Sequence, residues 1–119
     1  MPIKLYFADE GTNPQEAIGA VRKVAGDDKV LAIVGPHYSG TAEATFPLGN
    51  RLKIVQVAVA SSKPGVAKAN RPYAFRNTLT EDKIADAVVK AAKQRYGFKR
   101  VAIISDTKDA VARSLGMGV

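Results

Sequence analysis

The sequence predicts an α/β fold, a doubly wound and mostly parallel sheet with helices on both faces in three layers. Two runs, "VLAIVG" (30–35) and "IVQVAVA" (54–60), are almost wholly apolar, as strands covered on both faces require. A third run, "RVAIISD" (100–106), is rich in β-formers. Helical periodicities lie between the runs, giving the order β, α, β, α, β, loop, α, β, α that belongs to this class. With 119 residues, 46% hydrophobic and 24% charged, the chain is sized for one domain with a modest core.

Each element has its own signal. "IKLYFAD" (3–9) alternates weakly and stops at acids, as a first strand would. A helix follows in "NPQEAIGAVRKVAG": Asn13 caps it, Pro14 suits its first position, Ile18, Val21 and Val24 share a face, and Gly26 ends it. After the second strand, Thr41 to Leu52 reads as a shorter helix with Ala44, Phe46, Leu48 and Leu52 as its apolar positions. Pro47 fits there only near the first turn or at a kink. The third strand, 54–60, leads into the long loop "ASSKPGVAKAN" (60–70), which is poor in large apolar residues, and then into a short strand at Tyr73 and Phe75. The strongest helix is "TEDKIADAVVKAAKQRYG": Thr80 caps it, Ile84, Ala87, Val88 and Ala91 form its buried stripe, and Gly97 stops it. The fourth strand ends at Asp106, before a closing helix. No internal repeat, low-complexity tract or linker interrupts the series.

Composition narrows the chemistry. Without cysteine there is neither a disulfide framework nor a thiolate metal site, and a lone histidine, His37, rules out a multi-histidine site. The formal charge of +7 comes from 18 Lys and Arg against 11 Asp and Glu. These cations are scattered, and the one dense cluster, Lys93 to Arg100, reads as a solvated helix end, so no nucleic-acid partner is expected. No segment approaches the length of a membrane span, and "MPIKLYFADE" lacks the pattern of a signal peptide.

Motif spacing removes further classes. Gly35 and Gly40 are spaced as in a P-loop, but Thr41-Ala42 stands where Lys and Ser or Thr are needed. The residues flanking Ser39 at two positions' distance are His37 and Thr41, so the G-x-S-x-G elbow fails, and no acid is in register to orient His37 as a base. No G-x-G-x-x-G follows a strand. No catalytic residue, metal ligand or cofactor is therefore assigned. Asp9, Glu10 and Asp106, at strand ends, leave open an alternative class, a small signalling or enzyme domain with an acidic site. Their plainer use is as helix caps and loop acids.

A binding role remains. Ser39 stands where a parallel strand ends and a helix begins, the place at which open α/β sheets bind ligands. The free N–H groups and positive dipole end of that helix suit a carboxylate, and Ser39, Gly40 and Thr41 supply backbone and hydroxyl donors. Simple capping by Ser39 is the competing use. The next strand ends in Ala60-Ser61-Ser62, so a second hydroxyl-rich loop is expected beside the first, and together they form a polar cup.

These two loops, in this order, resemble the type I periplasmic binding proteins, in particular the branched-chain amino acid (Leu/Ile/Val) receptors of ABC transporters. "YFADEGTNPQEAIGAVRKVAGDDKVLAIVGPHYSG" is similar to that family's second strand, helix and serine-bearing "IVG" loop, and "LKIVQVAVASS" to the strand before its second ligand loop. "NRPYAFRNTLTEDKIADAVV" resembles the "FRT" segment, and "KRVAIISDTKDAVARS" the strand and helix after it. The resemblance implies a non-catalytic receptor lobe for amino acids or similar small carboxylates, periplasmic, delivering to an ABC transporter permease. It places Ser39 in the first ligand loop and Ala60, Ser61 and Ser62 in the second. It also implies that residues 1–119 are a single partial amino-terminal lobe, without the family's first strand or second lobe. Open sheet edges would then favour a homo-oligomer, and a fragment that only self-associates is the third reading.

Overall fold

The computed structural model describes residues 2–27 and 30–116. Its elements are α1 (Pro14–Ala25), β1 (Ala32–Val34), α2 (Ser39–Leu52), β2 (Val55–Ala58), α3 (Val66–Ala69), β3 (Ala74–Arg76), α4 (Glu81–Tyr96) and α5 (Ala110–Gly116). Local signals set the helix limits. The Asn13 side chain accepts the Glu16 N–H at 3.0 Å, Pro14 opens α1 and Gly26 closes it. Gly97 ends α4 at φ +63°, a left-handed conformation that glycine adopts without a Cβ penalty.

The three strands form one parallel sheet in the order β1-β2-β3. Ile33 pairs with Gln56 and Gln56 with Ala74, while Val34, Val57 and Phe75 stand in register on the opposite face. The core lies on the first of these faces, where Ala58 and Ala74 meet Ala42 and Phe46 of α2 and Val66 of α3. Phe46 is the one large side chain in that cluster. α1 packs against α2, and α5 touches α2 and α4.

Four features differ from the expectations. First, residues 3–9 and 101–106 are not strands. A strand is held by its ladder, and neither segment has a neighbour to pair with, so Phe7 and Ile104 stand 86% and 99% exposed. Second, the second helical layer is absent among the described residues: Val34 and Phe75, on the other sheet face, are exposed. Third, the intended buried stripe of α4 faces outward, Ile84, Ala87, Val88 and Ala91 all being exposed. α4 packs on α5 instead of the sheet, and its Ala, Lys, Glu and Gln content sustains the helix without that burial. The radius of gyration, 17.0 Å with extents of 56 × 31 × 23 Å, accordingly exceeds the roughly 13.5 Å of a compact chain this long. Fourth, Pro47 sits inside α2 without ending it. Pro47 and Glu43, whose carbonyl Pro47 leaves without its helical donor, are both exposed residues.

Candidate functional site

Backbone geometry brings the two loops together. Gly35 turns the chain out of β1 at φ +134°, and its N–H donates to the Val57 carbonyl at 2.9 Å. Two residues on, the Val59 N–H donates to the Pro36 carbonyl at 3.2 Å, so the loop after β2 runs beside the loop after β1. Arg76 reinforces the arrangement from β3, its Nη1 donating to the Lys63 carbonyl at 3.0 Å.

Ser39 is the junction of the two loops. Its Oγ accepts hydrogen bonds from the Ser61 hydroxyl and the Lys63 N–H, each at 3.2 Å. Ser39 is 3% exposed and Ser61 2%. Capping is not its role: Tyr38 occupies the N-cap in an extended conformation, without a side-chain cap bond, and Ser39 is the first helical residue. A serine oxygen has two acceptor sites and one donor. Both acceptor sites are filled here from the second loop.

The remaining predicted residues divide by what they already do. Thr41 is buried, and its hydroxyl donates back to the Tyr38 carbonyl at 2.9 Å, so it organises the first turn of α2 instead of offering a free donor. Gly40 is half-exposed, and a Cβ added there would meet nothing within 4 Å. Ala60 is exposed; Ser62 is half-buried, and its carbonyl accepts the Glu81 N–H at 3.1 Å. Lys63, absent from the sequence-based set, contributes its backbone to Ser39 and pairs its ammonium with Glu43 of α2. The "SSKPG" turn signal marks that loop as tight, but only the fold shows that it turns toward Ser39.

The acids do not gather into a pocket. An Asp9 oxygen accepts the Gly11 N–H at 2.9 Å, Asp106 accepts that of Lys108 at 2.8 Å, and both Glu10 carboxylate oxygens accept that of His37 at 2.9 and 3.0 Å. Each is a loop acid serving nearby backbone, and no group of three or more metal-ligating side chains exists among the described residues. His37 is exposed and stacks edge-on against Tyr38 with ring centroids 4.8 Å apart, without an acid to orient its imidazole.

The sequence profile described as periplasmic binding protein matches residues 1–118. The Leu/Ile/Val-binding protein BraC3 of Rhizobium johnstonii is 27% identical over 95% of this chain, and an amino acid binding protein of Pseudomonas aeruginosa is 26% identical over 95%. The chain spans 30% of the length of each of these relatives. Among solved structures, the leucine binding protein LivK of Thermotoga maritima superposes on 92% of the chain with a TM-score of 0.82 at 25% identity, the chain covering 31% of it. A substrate-binding protein of Desulfitobacterium hafniense, solved with Leu, superposes on 93% with a TM-score of 0.77 at 20% identity, and 32% of it is covered. The chain, with its parallel sheet and paired loops, belongs to the periplasmic binding protein family.

Proposed function

We infer that this chain is a ligand-binding portion of a solute receptor for amino acids or similar small carboxylates, serving an ABC transporter permease in the periplasm. It works by binding, not by catalysis. The observation that carries this reading is the hydrogen-bond count at Ser39: both acceptor sites are used by the second loop, so the hydroxyl meets a ligand as a donor. Beside it stand the first-turn amides of α2, whose partial positive charge favours an anion. A carboxylate matches both. The names of the relatives, Leu/Ile/Val-binding and amino acid binding proteins, support an amino-acid carboxylate over other anions.

In this reading, Ser39 and the Gly40 and Thr41 amides hold the carboxylate from one side. Ala60, Ser61 and Ser62 line the other, Ser61 chiefly by fixing Ser39. The exposed edges and apolar segments of the sheet give the chain a second partner, another copy of itself.

A thermal-shift panel of branched-chain, aromatic and acyclic amino acids tests the assignment. Leucine or a close analogue is expected to raise the melting temperature of the wild type, and both Ser39→Ala and Ser62→Ala to reduce that rise. An unchanged ligand shift in both variants would make the cup purely structural.

A further inference from the structure

Lys63 is fastened at each of its polar groups. Its N–H donates to the Ser39 Oγ at 3.2 Å, its carbonyl accepts from the Arg76 Nη1 at 3.0 Å, and its ammonium pairs with the Glu43 carboxylate. Ser39 and Glu43 are four residues apart in α2, so they share one face of that helix, one turn above the other. A single residue of the second loop therefore spans two turns of α2, its backbone on the first and its side chain on the second.

The neighbours of Lys63 hold the loop elsewhere. Pro64 has no N–H to donate, and Gly65, at φ +83°, turns the chain into α3. One residue earlier, the Ser62 carbonyl accepts the N–H of buried Glu81, which ties the loop to α4 and not to α2. The side chains of Lys63 and Glu43 are 27% and 41% exposed, whereas the Lys90–Asp86 pair, at 72% and 62%, lies on the surface of a single helix. A part-sheltered pair between two elements is screened less than an exposed one, and it acts on where those elements sit.

We propose that Lys63 is a positioning residue of the binding site: its ion pair with Glu43 clamps the second loop to α2, keeps the Lys63 N–H on the Ser39 Oγ, and so sets ligand affinity without touching the ligand. This rests on the carboxylate reading above and adds to it a residue that acts through Ser39. While both acceptor sites of Ser39 are filled from the loop, its hydroxyl can enter a ligand contact only as a donor. Release of the clamp frees one of those sites and lets the hydroxyl turn.

Amide hydrogen exchange followed by NMR reads the Lys63 N–H directly, without a ligand, and calorimetric titration with leucine reads the consequence. Glu43→Gln and Lys63→Met, which keeps the aliphatic stem and the N–H, should each speed that exchange by about two- to fivefold, the range of a part-exposed ion pair, and weaken leucine by a similar factor. Lys63→Arg, which keeps the cation, should stay close to the wild type in both readouts. Asp86→Asn makes the same change in net charge as Glu43→Gln and should alter neither. Added salt should speed Lys63 exchange in the wild type but not in Glu43→Gln, and its wild-type arm stands even if a variant does not fold. Unmoved exchange in Glu43→Gln overturns the proposal, as does faster exchange with leucine affinity unchanged, or a loss in Lys63→Arg as large as in Lys63→Met. Leucine binding that is undiminished in Ser39→Ala, while Lys63 exchange responds as expected, strikes the carboxylate reading and not the clamp.

Discussion

Gly40 allows the backbone role of the first loop to be separated from its folding role. It lies at the second position of α2, and a methyl group there would meet no neighbour within 4 Å. Gly40→Ala should therefore stabilise the fold by about 0.5–1 kcal/mol through helix propensity, read as a higher melting temperature. On the proposed binding mode the same methyl would stand in the path of a carboxylate approaching the amides, so leucine affinity should fall even as stability rises. At the start of α4 Thr80 makes no side-chain cap bond, and its side chain, two residues before Asp82, is the main influence holding that carboxyl below the ordinary carboxylate range. A lowered native pKa contributes stability that is present above the unfolded-state value and lost as pH falls through the native one. Thr80→Ala should move the Asp82 titration, followed by NMR, back up toward its ordinary value, and an unmoved titration would refute that influence. At this scale the sequence marks Ser39 and Ser61 as polar residues at strand ends, because that follows from element order. The burial of Glu81 and the inward turn of Lys63 arise from contacts between segments far apart in the chain, and no local pattern encodes them.

Among the elements, the seam between α2 and β2 is the tightest. Gln56 is fully buried under α2, with Nε2 donating to the Thr45 carbonyl at 3.0 Å, and a Cβ at Gly49 would come within 2.1 Å of that nitrogen. Gly49→Ala should destabilise by about 1–3 kcal/mol in denaturant titration, overpacking outweighing the gain in helix propensity. In a Gln56→Ala background, where the crowding side chain is gone, the cost should largely vanish. Helices α1 and α4 were readable because caps, glycine stops and helix-forming residues act within one segment. Strands depend on neighbours. β2, with a partner on each side, forms where its apolar run predicts, whereas the equally apolar residues 101–104 form no strand and stay exposed. The outward stripe of α4 has the same origin: amphipathic spacing says that a face is to be covered, not by what.

For the whole molecule, the open face and edges of a three-stranded sheet dominate. Leu31 and Val34 on the β1 edge, and Ile3, Leu5 and Phe7 before α1, are all largely exposed. Unpaired apolar strands recruit other chains, while the formal charge of +7 opposes their approach. Self-association should therefore strengthen with added salt, which screens the repulsion. Size exclusion coupled to light scattering at low and high ionic strength checks this, and a monodisperse monomer under both conditions would count against it. The fold class and the paired loops were legible in the order of the elements; the elongated shape was not, because it depends on where α4 finds a surface. The central claim, that Ser39 acts as a donor to a ligand carboxylate, is tested most directly by calorimetric titration of leucine into wild type and Ser39→Ala. Measurable binding to the wild type is expected, with a loss of about tenfold or more in the variant, the weight of one hydrogen bond to a charged group. Equal leucine affinity in the two proteins would contradict it.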